Sequence, residues 1–264
     1  MIGYDKIAEH EDILLDLPLS EGSGLVVRDQ AKAHHQPVEQ NEPGGGTFDW
    51  ERALTEGDNG FDNGFDWGFD AKIGIGCLSF YAMGNGPTDG VYLDLASADC
   101  LDLDFIAGDY SYGVWIKLQD TSYSQILIGR YQLNIEGYEI YWTKVGTTRY
   151  LTQRHHHAGT LVGGNPRSAC YSVGWDEGEW HFLGISRTGG GEGLHYRNGV
   201  AVTMVTGGLV DPETSAEDLV IGARFTKDSN WFYGQMWRPR MWGRALSATE
   251  WETIFNRERD WFGV

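Results

Sequence analysis

An all-β fold is what this sequence predicts: a two-sheet antiparallel β-sandwich of the jelly-roll kind, closed by a short C-terminal helix. Three observations carry that expectation. Short apolar or alternating runs recur at turn-to-turn intervals, as in sandwiches and not in alternating βαβ units. Aromatic residues make up 13% of the chain and glycine is abundant, while helical periodicity is scarce. A single strong helix start stands near the end, at Ser247-Ala-Thr-Glu250, where a Ser N-cap is followed three residues on by Glu.

Taken in order, residues 1–12 read as a polar N-terminal arm, and residues 13–264 as one jelly-roll domain. Ile13 to Leu19 is an apolar strand run, with Pro18 marking an edge position. Residues 30–47 are polar, with Pro37, Pro43 and three consecutive glycines, and read as a long surface loop. An inserted Gly/Asp/Phe-rich loop spans about 41–72 and contains a four-residue repeat from Gly57 to Asp70. Strands are then expected over 75–81, 90–95, 110–118, 124–129, 138–142, 148–152 and 180–187. Residues 193–197 and 200–205 flank Asn198-Gly199, a hairpin dipeptide. A short strand at 219–222 precedes the closing one, Phe232–Trp242, whose Gly234 and Pro239 predict a twisted strand with one irregular point. Leu246 and Trp251 bracket the helix start as a hydrophobic staple would.

With 20 basic and 38 acidic residues the formal charge is −18. Such a polyanion repels nucleic acid and acidic membrane surfaces. No run approaches a membrane span and no secretory signal is visible, so no membrane insertion is expected. Localisation follows as a virion or extracellular protein without a visible signal, otherwise cytoplasmic. Cys77, Cys100 and Cys170 lack zinc spacing, and their odd number argues against a disulfide framework.

The order of the motifs resembles the laminin-G-like jelly rolls of the concanavalin-A-like lectin/glucanase superfamily. The pieces are Leu14–Gly24, Gly90–Leu95, Tyr112–Leu118, Gly178–Phe182 continuing through Leu194–Val200, and Phe232–Met236 followed by Arg244–Ser247. The resemblance implies two antiparallel sheets of about six or seven strands each, with the N-terminal strand near the C-terminal one. It also implies a structural calcium ion held by an acidic residue after the glycine that here is Gly234. This chain has Trp237 where that acid is expected, so the family's calcium site is in doubt.

Function has to be read from side chains, since this fold serves many tasks. Glycoside hydrolysis needs two carboxylates facing one cleft. Glu136 and Glu139 are three apart and do not share a strand face. Glu177 and Glu179 lie in a turn and read as solvated, and Asp102 and Asp104 lie in a turn-like segment without Glu. No Gly-x-Ser-x-Gly elbow is present. The chain therefore reads as a non-enzyme, with no cofactor expected.

His155-His-His157 reads as a solvent-facing loop tip rather than a metal cluster, and His34-His35 likewise. If calcium binds, Asp58, Asp62 and Asp66 in the repeat are the candidate ligands. Carbohydrate binding calls for exposed aromatic faces beside polar groups, which nominates Trp67, Trp231 and Asn230. Trp115, Trp180 and Trp242 sit in strand patterns and are expected in the core. The leading expectation is a structural or adhesion protein, such as a virion component (capsid decoration or fibre) of a tailed virus, with other structural proteins or itself as partner. The alternatives are a lectin-like module for surface glycans and, last, a polysaccharide-active hydrolase.

Overall fold

The structure, a computed structural model, describes residues 8–19, 27–31, 38–41, 66–70, 75–80, 91–120, 122–158, 167–171, 175–189, 191, 193–206 and 209–264. Its strands in chain order are β1 Ile13–Asp16, β2 Val38–Asn41, β3 Asp66–Asp70, β4 Ile75–Phe80, β5 Val91–Leu95, β6 Tyr110–Leu118, β7 Gln125–Gln132 and β8 Glu136–Val145. They continue as β9 Thr148–His155, β10 Arg167–Tyr171, β11 Trp180–Arg187, β12 Gly193–Arg197, β13 Val200–Ala201, β14 Met204–Thr206, β15 Leu219–Ile221 and β16 Gly234–Trp242. Helix α1, Ala248–Glu258, follows. Among the described residues, no helix is long and apolar enough to cross a membrane.

The strands form two antiparallel sheets. The first runs β13-β12-β11-β6-β16-β4-β3, with β1 also paired to β16. The second runs β14-β10-β9-β8-β7-β15-β5-β2. The all-β sandwich expected from the sequence is thus present, with eight strands per sheet among the described residues. Two stretches expected as loop are partly strand. Val38–Asn41 pairs with β5, and Asp66–Asp70 pairs with β4. Among the described residues both are end strands of their sheets, where a polar run such as Val-Glu-Gln-Asn is tolerated because only one side of the ladder is paired.

β16 organises the first sheet. Its irregular point falls where Pro239 suggested: the register against β6 shifts between Trp237 and Arg240, and Arg238 takes a φ of 53°. On its other side β16 pairs with β4 through Met236 and with β1 from Arg240 onward. The bulge therefore lets one strand serve two neighbours in succession. Of the expected polar arm, residues 8–12 are described, and they are bonded to the end of β16. Glu9 and Glu11 carbonyls accept from the Trp242 indole (2.7 Å) and Arg244 Nε (3.1 Å), and Gly243 N donates to Asp12 O.

Strand alternation sends Val114, Ile116, Leu183 and Ile185 of the first sheet, and Leu127, Ile140 and Trp142 of the second, into the space between the sheets. The opposite face of the first sheet is also covered. Trp115, Phe182, Trp237, Trp242, Trp251 and Phe262 build a second aromatic core there, under α1 and the C-terminal tail. The α1 capping box is formed, with the Ser247 side chain accepting from Glu250 N and Glu250 accepting from Ser247 N. Leu246 and Trp251 are both buried in that core.

Two glycines explain how Trp251 fits. Gly113 and Gly184 are register partners, and a Cβ on either would come within 2.8 Å of the indole. Their bare backbone forms the seat for the ring, whose Nε1 donates to Ser186 Oγ at 2.8 Å. Below α1 a buried ion network completes the joint. Glu258 accepts from Arg240 NH1 and NH2 (2.8 and 2.9 Å) and from Trp115 Nε1 (2.8 Å), while Arg238 bridges Glu258 to Asp16. Asp16, Arg240 and Glu258 are all buried, so each charge depends on its partner.

Candidate functional site

The first sheet spends its outer face on α1, so the polar chemistry collects on the outer face of the second. Alternation along β8 turns Tyr138, Ile140 and Trp142 inward, which turns Glu139 and Tyr141 outward. Register then places Arg154 and Thr152 of β9 opposite them, and Gly129 of β7 on the other side of Glu139.

Glu139 is the centre. Its Oε1 accepts from Arg154 Nε at 2.6 Å, from Arg154 NH2, and from His156 Nε2 at 3.2 Å. The carboxylate is 1% exposed. Burial pushes its pKa up, but the His156 hydrogen bond and the Arg154 charge outweigh that and hold it below the ordinary carboxylate value. His156 is fixed in one tautomer: Asn134 N donates to Nδ1 at 3.1 Å, so the proton sits on Nε2 and points at Glu139. Burial lowers the His156 pKa, against the raising effect of Glu139. The result is a buried anion with its charge answered by Arg154 and a neutral imidazole beside it.

Around this centre runs a continuous row of rings. Phe225 packs on Tyr131 (centroids 5.1 Å), Tyr131 stacks on His156 (4.9 Å, 13° between planes), and Arg154 lies 4.9 Å over the Tyr141 ring. Gly129 makes room for Tyr131, because a Cβ there would stand 2.7 Å from that ring. Half-buried Thr143, Tyr150, Arg154 and Phe225 bring the row to the surface.

Phe225 belongs to the loop from Arg224 to Asn230, which closes on itself through Arg224 N to Ser229 O (3.0 Å) and Lys227 N to Arg224 O (2.7 Å). Positive φ at Lys227 and Asn230 makes the two bends. Lys227 Nζ donates to Asp94 and Asp218 at 2.8 Å each, pinning the loop to the sheet. Thr226 and Asp228 are left exposed beside Phe225.

The residues nominated from the sequence fall unevenly on this picture. Asn230 lies at the loop's end, where its Nδ2 donates to Ser124 O at 3.1 Å. Trp231 is corrected: it is fully buried, with its ring against Tyr92 (5.8 Å), so it offers no face to a sugar. Trp67 and Asp66 lie in β3, on the first sheet and away from this face. Asp58, Asp62 and His34-His35 lie outside the described residues. Trp237, standing where the family's calcium-binding acid was expected, is buried in the outer aromatic core.

The expected histidine loop tip is also corrected. His155 ends β9 and is buried between the sheets, donating from Nδ1 to Val210 O (2.6 Å) and accepting from Tyr110 OH (2.8 Å), while His156 joins the outer row. The separation of Glu136 from Glu139 holds: Glu136 caps the 213–217 loop through Ala216 N (2.6 Å) and Ser215 Oγ. Glu177 and Glu179 are exposed, and Trp115, Trp180 and Trp242 are buried, as expected. Sequence reasoning assigned no site role to Arg154 or Tyr131. Their only signal lies in the pairing of β7, β8 and β9, which is a long-range property.

Among the described residues no group of three or more His, Cys, Asp or Glu could hold a metal ion. Proton-transfer catalysis of glycoside cleavage needs a second free carboxylate opposite the first. Glu139 is the carboxylate at the centre of this row, and it is consumed by Arg154. Only the row's half-buried members reach the surface: Phe225 and Tyr150 can stack on a ligand, and Thr143 and Arg154 can hydrogen-bond to it, over the buried Tyr131, Tyr141 and His156.

A family profile described as the concanavalin A-like lectin/glucanases superfamily (Laminin_G_3) matches residues 87–250. No curated protein sequence matches. Among solved structures, one of botulinum neurotoxin type C, described by its interaction with two ganglioside molecules, has 11% identity and a TM-score of 0.59, covering 94% of this chain and 52% of that one. The binding domain of botulinum neurotoxin DC with rat synaptotagmin II has 10% identity and a TM-score of 0.59, covering 95% and 52%. The same domain with SialylT has 10% identity and a TM-score of 0.58, again covering 95% and 52%. This chain therefore spans about half the length of these neighbours, and at such identity the likeness is one of fold.

Proposed function

The chain belongs to the concanavalin A-like lectin/glucanases superfamily, and from that premise we propose that it is a non-catalytic, glycan-binding module. The observation that carries this reading is the half-buried Phe225, Tyr150 and Arg154 on the outer face of the second sheet, supported from beneath by the buried Tyr131, His156 and Tyr141 and set beside the polar 224–230 loop. Sugars present apolar C–H faces flanked by hydroxyls. They are held by aromatic rings with hydrogen-bonding groups at their edges, which is what Phe225, Tyr150, Arg154 and the loop combine. The locked state of Glu139 supports binding over hydrolysis, because its charge is already spent. A structure of similar fold, that of the type C toxin, is described by its interaction with two ganglioside molecules, and this chain matches 52% of it.

Glycan-array screening of the full chain, followed by calorimetry on the strongest hit, tests the reading. Phe225→Ala and Tyr150→Ala should each weaken that binding about tenfold or more while leaving the fold intact, as removal of a stacking ring does. Prolonged incubation should release no new reducing ends. Silence across the array, together with stable incorporation of the protein into a larger particle, would replace this reading with the assembly role.

A further inference from the structure

We propose that one end of the sandwich is a docking surface for a basic, amphipathic segment of a partner protein. The end is formed by segments 96–109, 132–137 and 209–218, which lie at strand ends and are bonded to one another. Internal bonds fasten them together. Buried Arg130 donates to the carbonyls of Cys100 (2.8 Å), Ser215 (2.9 Å) and Glu217 (3.0 Å). Gly137 N donates to Glu213 O, Ser97 N to Asp218 Oδ1, and Ser215 N to Asp104 Oδ1. His155 Nδ1 holds Val210 O from below. The surface is therefore preformed, which limits the ordering cost of binding.

Two properties of that surface choose the partner. The first is apolar exposure. Leu101 is 70% exposed, Val210 47%, Ile106 43% and Ile135 42%, four of the nine large apolar side chains exposed among the described residues. All four project from the fastened segments, where a cluster of exposed apolar groups signals an interaction site. The second is charge. The three segments contain nine Asp or Glu and no Lys or Arg. Internal partners answer some of these: Asp211 pairs with Arg187, Asp218 with Lys227, and Asp104 lies 4.0 Å from Arg130. Glu213 remains 57% exposed with only His157 at 4.0 Å, and Asp99 is exposed.

Burial, with smaller contributions from the Glu136 and Asp218 charges, holds Glu217 above its ordinary value. An anionic membrane, a nucleic acid or a second copy of this −18 chain would each bring more negative charge to that field. A segment presenting Leu or Ile on one face and Arg or Lys at its margins meets both properties at once.

The probe is a fluorescently labelled amphipathic Leu/Arg peptide, titrated by anisotropy against the full chain. A second peptide of equal charge with Leu replaced by Ser separates the apolar contribution from plain attraction to an acidic protein. The Leu/Arg peptide should bind about tenfold more tightly than the Ser version, and added salt should weaken it. Leu101→Ser with Ile106→Ser should remove that preference, whereas Val145→Ser, at an exposed apolar position on another hairpin, should leave it intact. These side chains are exposed, so unchanged melting temperatures are expected for both variants. Equal binding of the two peptides, or equal loss in the Val145 variant, overturns the proposal.

Discussion

Buried neutral histidines should make this protein lose stability in mild acid, well above the pH at which most carboxylates protonate. His155 and His195 are enclosed in the fold, and burial lowers both to about 3 from an ordinary 6.5. The folded-state value is depressed, so the contribution is fully present above 6.5 and falls away as pH drops toward the folded value. Linkage then gives about 2 kcal/mol per histidine between about pH 7 and pH 5, or roughly 4 kcal/mol for the pair. His156 and His181 are lowered in the same direction by burial and add to the effect. Asp94 and Glu217 are raised and oppose it in part.

Against a typical net stability of 5–15 kcal/mol, roughly 4 kcal/mol is large enough to move a midpoint visibly. Urea denaturation followed by tryptophan fluorescence at several pH values provides the assay. His155→Gln, which can still accept from Tyr110 and donate to Val210, should remove about 1.4 kcal/mol per pH unit from the slope below pH 6. A stability flat between pH 7 and 5, or a slope unchanged in that variant, would refute the assignment of these groups as buried and neutral.

Other outcomes follow from the packing under α1. Gly184→Ala would press a methyl within 2.8 Å of the Trp251 ring and should cost about 1–3 kcal/mol by thermal melting. Gly108→Ala, with nothing within 4 Å of its Cβ, should be close to neutral. Glu258→Ala leaves Arg240 buried without its carboxylate and should cost about 3–5 kcal/mol, read as a shift of the denaturation midpoint.

How much of this could be read in advance differs from residue to residue. β16 was legible because Gly234 and Pro239 punctuate it locally, and the α1 start because its capping box spans only four residues. Core tryptophans in strand patterns were likewise predictable. His155 was misread because a run of three histidines looks like a surface feature; only the inward alternation of β9, set by its pairing with β8, buries it. Trp231 follows a polar loop and so resembles an exposed ring, yet Tyr92, more than a hundred residues earlier, packs against it. The Glu139–Arg154 pair was invisible for the same reason. Fifteen residues separate the two, and only the β8–β9 register makes them neighbours. Val38–Asn41 and Asp66–Asp70 were read as loops because edge strands tolerate the composition of loops.

Glycan recognition by the outer face of the second sheet can be seen residue by residue. The most direct measurement is an amide NMR titration of the full chain with the glycan that binds it best. Shifts should be confined to Tyr131, Tyr141, Tyr150, Arg154 and the 224–230 loop. Shifts centred on the first sheet or on the far loop end, with this face silent, would contradict it.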